Sequence, residues 1–324
     1  MNGSIPQISA DKVGEVLTPQ LAIESQRAAF QALGRDEVDL PHKIMHPSRF
    51  GDGVAFAYLS RMSAGTGAVA KIGSVHPGNA ELGLPSISAT VLAMHPVTGR
   101  PFALLDGTVI STVRTAAASA VAADELAVPG PARLGLLGSG VQARAHAMML
   151  AEVRPLTEIL VWSPREVSRT ATADELTREL GIPARAVATP REAVTDAGLV
   201  VTCTLSKQPV LEAGWLADGA TVLCIGSFEP DRHEVGTDVL RRAGLVAVDD
   251  VHTAVGHTGP VMAALADGTL AEADLAGLGA LLNGERPGRS GPKDVVFYAS
   301  VGLGVQDAAA AWAVLDALGM TPEG

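Results

Sequence analysis

The chain has 324 residues, of which 47% are apolar, 18% charged and only 3% aromatic, and its formal charge is −11. A composition this apolar excludes a disordered chain and predicts a core filled by aliphatic side chains and alanine. The acidic balance argues against an extended nucleic-acid or anionic-membrane surface and leaves only a local basic pocket for a small anion.

At ~100–200 residues per domain the length predicts two domains. Residues 18–34 read as a helix, with Thr18 as cap and Pro19 in its first turn. Strand-like segments follow at 54–59, 67–74, 85–94 and 101–106, with no long helix between them, which predicts an α+β domain with a mostly antiparallel sheet. Residues 112–127 form an alanine-rich helix. That start puts Arg114 in the first turn, where the helix dipole disfavours a cation unless a bound anion offsets it.

Pro129-Gly130-Pro131 breaks the chain, and the pattern then alternates: strand 133–138, helix 140–152, strand 158–162, helix 165–180, then strands 199–203, 221–225 and 245–248. These are short, continuous apolar runs, as in a sheet covered on both faces, and they predict a Rossmann-type, doubly wound parallel α/β domain. A last helix, 303–319, is expected to return to the first domain. Cys203 and Cys224 lie in apolar runs and read as buried thiols, which excludes a disulfide scaffold. No run approaches ~18 apolar residues, and the first residues lack a basic-then-apolar leader, so the expectation is a soluble cytoplasmic protein. His42/His46 and His252/His257 have ligand-like spacing without a third ligand, so no metal is expected.

Gly138-Ser139-Gly140-Val141-Gln142-Ala143 closes a strand and opens a helix, which is the context a G-x-G-x-x-A dinucleotide motif requires. Gly138 permits the tight turn, Gly140 lets the backbone approach a pyrophosphate, and Ala143 keeps helix and strand close. The next strand ends in Trp162-Ser163-Pro164-Arg165, with no acid at the position that reads ribose hydroxyls. Ser163 and Arg165 suit a 2′-phosphate, so NADP(H) is preferred over NAD(H), although Arg165 also fits as a residue that merely starts a helix.

The segments Thr112-Val113-Arg114-Thr115-Ala116-Ala117-Ala118 and Gly138-Ser139-Gly140-Val141-Gln142-Ala143-Arg144 resemble the ornithine cyclodeaminase/μ-crystallin family. So do Lys71-Ile72, Pro77-Gly78-Asn79, Gly83-Leu84-Pro85-Ser86, Leu104-Leu105-Asp106-Gly107, Ser300-Val301-Gly302 and Asp307. The resemblance implies a substrate-binding and dimerisation domain (1–118 and 303–324), an inserted Rossmann domain (119–302) and a homodimer. It also implies hydride exchange between a nicotinamide and an amino- or imino-acid carbon, the chemistry that the family's cyclodeaminases, alanine dehydrogenases and ketimine reductases share.

Arg49, Lys71 and Arg114 match the family's basic substrate-site positions. An arginine fork suits a substrate carboxylate, and a lysine of lowered pKa suits proton transfer. On its own residues, Lys71 also reads as an outward-facing lysine on a half-exposed strand. By the same resemblance Ser86 lies near substrate and Thr115 near cofactor phosphate, with Thr112 beside it, while Ser300, Val301 and Gly302 join the cofactor set. Helix capping is the alternative for both threonines. Ornithine cyclodeaminases carry an aspartate where this chain has Phe228, and Glu229 and Asp231 are the nearest acids. The acid those enzymes have upstream is also missing, at Tyr58-Leu59-Ser60-Arg61. Both departures favour an apolar or cyclic substrate, as in a ketimine reductase or amino-acid dehydrogenase. An ammonia-releasing cyclodeaminase and a non-catalytic μ-crystallin-like binding protein are the alternatives.

Overall fold

The structure is a computed structural model that describes residues 4–320 and 322, with the side chains of Ala80 and Glu81 left out of the description. In chain order its strands and α-helices are β1 (Gln7–Ile8), α1 (Ala10–Val16), α2 (Pro19–Gly34), β2 (Ile44–Pro47), β3 (Val54–Ser60), β4 (Val69–Val75), β5 (Ile87–Met94), β6 (Pro101–Asp106) and α3 (Gly107–Leu126). Then come β7 (Ala132–Leu137), α4 (Val141–Val153), β8 (Leu156–Trp162), α5 (Glu166–Leu180), β9 (Ala184–Ala186), α6 (Pro190–Val194), β10 (Leu199–Thr202) and β11 (Thr221–Cys224). The chain ends with α7 (Thr237–Arg242), β12 (Ala243–Val248), α8 (Val251–His257), α9 (Gly259–Ala266), β13 (Leu275–Gly277), α10 (Leu278–Leu282), β14 (Val295–Ala299) and α11 (Gly304–Ala317).

Two compact units divide the chain, one of residues 1–115 and 303–324, the other of residues 116–302. The first boundary lies three residues before the one read from the sequence, inside α3, and the second coincides with it.

The first unit holds a six-stranded sheet in the order β1-β6-β5-β4-β3-β2. Neighbours β2 to β6 pair antiparallel, and the short β1 adds in parallel to β6. Helix α2 starts as expected: the Leu21 N–H donates to the Thr18 hydroxyl at 3.3 Å, with Pro19 at its first position. Helix α11 packs on β3, β4, β5 and α2. Trp312 fixes it there, donating its indole N–H to the Gly67 carbonyl at 3.0 Å and stacking on Phe102 with 5.8 Å between ring centroids.

The second unit is an eight-stranded parallel sheet in the order β13-β12-β14-β11-β10-β7-β8-β9. The order reverses between β7 and β10, which makes the crevice beyond their carboxyl ends the ligand position of a doubly wound sheet. An apolar cluster, including Leu137, Val200, Val222, Val246 and Phe297, packs within this unit. Strand β14, Val295-Val296-Phe297-Tyr298-Ala299, lies fully buried near the middle of the sheet and was not among the expected strands. Cys224 is buried in β11, while Cys203 lies just beyond β10 and is half-buried.

Candidate active site

At the end of β7 the chain turns through Gly138, whose φ is +136°, and a Cβ there would stand 2.7 Å from Cys203 Sγ. Only glycine fits. A Cβ on Gly140 would meet nothing within 4 Å, and no side chain caps the N-terminus of α4. Val141 is exposed, and Gln142 Oε1 is buried with no protein donor. An open backbone cradle at a helix N-terminus, whose N–H groups donate, fits the pyrophosphate of a dinucleotide.

The cradle is held from behind. The Ser139 carbonyl accepts from Thr172 Oγ1 at 3.0 Å and from Arg144 Nη1 at 3.4 Å. Ser139 Oγ donates to Ser163 Oγ at 2.8 Å, and Ser163 in turn donates to the Arg165 carbonyl at 3.3 Å. Ser163 is only 5% exposed, so it acts by shaping the loop, while Arg165 stands exposed at the start of α5. Buried His146 presents Nδ1–H to the Gln142 carbonyl at 2.7 Å, since a carbonyl can only accept. Its Nε2 lies 2.9 Å from Ser119 Oγ, and burial lowers its pKa to about 4, which keeps it neutral.

Two buried acids organise the other strand-end loops. Asp249 Oδ2 accepts from the Val301 N–H at 2.8 Å, the Gly302 N–H at 2.9 Å and Ser300 Oγ at 3.3 Å. Its neighbour Asp250 caps α8 through the Thr253 N–H. Glu234 accepts from Thr202 Oγ1, Thr204 Oγ1 and the Thr204 and Gly226 amides, and so ties the loop after β10 to the loop after β11. Burial raises its pKa against the pull of these donors.

In the first unit, Lys71 pairs in register with Tyr58 and Val91 and is 2% exposed. The outward-facing alternative is thereby excluded. Lys71 Nζ lies 2.6 Å from Asp307 Oδ2, donates to Ser111 Oγ at 3.2 Å and sits 4.4 Å from the centre of the Tyr58 ring. Asp307 Oδ1 accepts from Arg114 Nε at 3.0 Å, and Arg114 Nη1 donates to Gln306 Oε1 at 3.2 Å. Two cations thus share one buried carboxylate, and the cluster carries one surplus positive charge, the complement of a substrate carboxylate. Burial, opposed by Asp307 and assisted by Arg114, lowers the Lys71 pKa to about 7.

The family of this chain follows from comparison with known proteins. The profile described as "Ornithine cyclodeaminase/mu-crystallin family" matches residues 8–321. The chain belongs to this family. A Delta(1)-pyrroline-2-carboxylate reductase of Bacillus cereus is 31% identical over 238 residues, 73% of each chain. The structure of a Thermococcus litoralis reductase of the same name, in complex with NADH and L-proline, superposes with a TM-score of 0.93 at 27% identity and covers 97% of each chain. An archaeal alanine dehydrogenase dimer with bound NAD gives a TM-score of 0.90 at 27% identity, covering 99% of this chain and 98% of that one.

Several expectations for individual residues change. Helix α3 begins at Gly107, with Asp106 Oδ1 accepting from the Val109 N–H at 2.8 Å, so Arg114 sits two turns inside it. The first-turn dipole argument for Arg114 therefore fails, and Asp307 is what holds this cation. Thr112 and Thr115 do not cap the helix, since their hydroxyls donate to the Thr108 and Ser111 carbonyls one turn back. Arg49 is exposed in the β2–β3 hairpin. That hairpin and Ser86, whose carbonyl accepts from the His76 N–H, adjoin the strand ends Val54, Val75 and Ile87. Val75 lies ~13 Å along β4 from Lys71 at ~3.3 Å per residue. Among the described residues no hydrogen bond or ion pair joins Arg49 or Ser86 to the Lys71–Arg114 cluster.

The loop after β11 answers which acid stands near Phe228. Glu229 is paired with Arg232 at 2.5 Å, and the Arg232 guanidinium lies over the Phe228 ring at 4.5 Å. Asp231 is paired with Lys207 at 2.5 Å, and the hydrogen bond from Lys207 lowers its pKa. Both acids are thus engaged by neighbouring cations in this structure.

Proposed function

We propose that the protein is an NAD(P)H-dependent reductase of small α-imino acids, running in reverse as an amino-acid dehydrogenase. The observation that carries this reading is the buried Lys71–Asp307–Arg114 cluster: a carboxylate anchor joined to a lysine that titrates near neutrality. Arg114 takes the substrate carboxylate, and the surplus charge of the cluster holds it. Lys71, protonated, holds the proton that the substrate nitrogen acquires, and Asp307 keeps Lys71 and Arg114 at fixed spacing. Burial of all three side chains excludes water and strengthens each of these contacts. Arg49 enters only as an outlying cation.

Gly138, Ser139, Gly140, Val141 and Gln142 would hold the dinucleotide pyrophosphate, and Ser300, Val301 and Gly302, clamped by Asp249, would line its nicotinamide end. When bound, that cofactor supplies the hydride. Arg165, exposed at the start of α5 beside a strand end that carries Ser163 in place of an acid, favours the 2′-phosphorylated form. The pairing of Glu229 and Asp231 with neighbouring cations favours an uncharged or cyclic substrate side chain over ornithine.

The test follows absorbance at 340 nm with NADPH and NADH against cyclic imino acids and 2-oxo acids with amines. Imino-acid-dependent oxidation, faster per molar NADPH than NADH, is expected. Equal or better use of NADH would remove the role given to Arg165, and oxidation with no panel member would remove the function.

The same reading includes a homodimer. Ile44, Ala57, Ile72 and Thr90 form a register row across β2 to β5 on the face opposite Lys71, and Leu59 shares that face. Ile44, Leu59 and Ile72 are 64%, 51% and 61% exposed, and a second copy would cover them. Sedimentation is expected to show a dimer that Ile72→Asp converts to monomer, whereas a monomeric wild type would exclude it.

A further inference from the structure

We infer that Gln306 is a positioning residue for the substrate carboxylate: it fixes the Arg114 fork and, being neutral, preserves the surplus positive charge of the Lys71–Asp307–Arg114 cluster. Gln306 lies in the first turn of α11 beside Asp307 and is fully buried. Its Oε1 accepts from Arg114 Nη1 at 3.2 Å and from the Leu303 N–H at 2.7 Å. That orientation is forced, because turning the amide would press its NH2 against two donors. The Arg114 fork is therefore held on two sides, by Asp307 at Nε and by Gln306 at Nη1, and its third side faces in a fixed direction.

The amide's bonds to Arg114 and Leu303 come at a cost elsewhere in the same pair of side chains. Gln306 Nε2 is buried without a protein partner, and so is Oε1 of Gln26, whose own Nε2 donates to the Gln306 carbonyl at 3.1 Å. Two fully buried amides on α2 and α11 thus leave one donor and one acceptor unpaired, a cost that an apolar side chain would avoid. What an apolar residue lacks is the acceptor aimed at Arg114. What glutamate would add is a second negative charge, bringing the cluster from one surplus positive charge to none and supplying from the protein what the ligand is meant to bring.

This inference rests on the carboxylate anchor proposed above, and the experiment separates the two. Binding of pyrrole-2-carboxylate, a planar carboxylate that offers no imine to reduce, is measured by calorimetry on the NADPH-loaded protein, beside imino-acid turnover. Gln306→Met is expected to weaken binding and raise KM about tenfold, with kcat within about twofold, and to lower the thermal midpoint, since Arg114 Nη1 and the Leu303 N–H both lose their acceptor. Gln306→Glu is expected to weaken binding about a hundredfold and to move the alkaline limb of the reduction profile to higher pH, as the added charge favours protonated Lys71. Wild-type affinity and an unmoved limb in both variants would overturn the inference, as would a wild type that does not bind the probe. Probe binding that depends on Gln306 in a protein that reduces no imino acid would uphold it and strike the proposed reaction alone.

Discussion

Replacing Lys71 with methionine is expected to lower imino-acid reduction by about 10³-fold, within the ~10²–10⁴ that a positioned proton donor contributes. NADPH binding should stay within about twofold of wild type, because the dinucleotide cradle belongs to β7 and α4 and not to β4. The fold should survive, since Asp307 keeps Arg114 as partner at 3.0 Å. The wild-type pH profile follows from the lysine's lowered pKa of about 7. Reduction needs the protonated form, so its rate should fall about tenfold per pH unit above that value. Oxidation needs the neutral form and should fall in the same way below it. Reduction undiminished at pH 9, or a variant with more than about a tenth of wild-type turnover, would remove Lys71 from proton transfer.

Asp307→Asn is expected to damage both function and fold. The carboxylate is 1% exposed and is what compensates Lys71 and Arg114. Leaving two buried cations with an amide between them costs roughly 3–5 kcal/mol, the usual penalty for breaking a buried ion pair from one side. The thermal midpoint should therefore drop clearly, and kcat/KM should fall about 10²–10³-fold. The charge of Asp307 raises the Lys71 pKa, so its removal moves the alkaline limb of the reduction profile to lower pH, opposite to the shift expected of Gln306→Glu. A chemical melt together with the pH profile checks this. An unshifted limb with normal turnover would show that the carboxylate does not hold the lysine.

Local motifs were legible in the sequence, and contacts distant along the chain were not. The glycine turn at 138–140 could be read because its demands are backbone demands, met within a strand–turn–helix segment. The start of α3 was misplaced because Thr108, Val109, Ile110 and Ser111 include the β-branched residues that propensity assigns to strand or turn. The cap that decides it comes from Asp106, at the end of the preceding strand. Strand β14 is marked locally by an apolar and aromatic run after the turn residues Gly291-Pro292, but its place between β11 and β12 depends on contacts distant along the chain.

The same distance hid the centre of the site. Asp307 lies 193 positions from Arg114 and was noted only as a matching residue, and nothing near it in sequence marks it as partner to two cations. A signal was present in the acidic-polar pair Gln306-Asp307 at the head of an otherwise apolar helix, where a buried carboxylate demands a cation. Of the cations expected at the site, Arg49, Lys71 and Arg114, the last two share one buried carboxylate. Arg49 had no physical argument of its own, only its matching position.

The most direct measurement of the central claim is a stoichiometry: NADPH oxidised, amino acid formed and ammonia released, all in one reaction with a cyclic imino acid and in a second with ornithine. The account predicts equal amounts of NADPH consumed and cyclic amino acid formed in the first reaction, and no ammonia from ornithine in the second. Ammonia released from ornithine with no net change in the nicotinamide would contradict it and make the protein a cyclodeaminase despite Phe228.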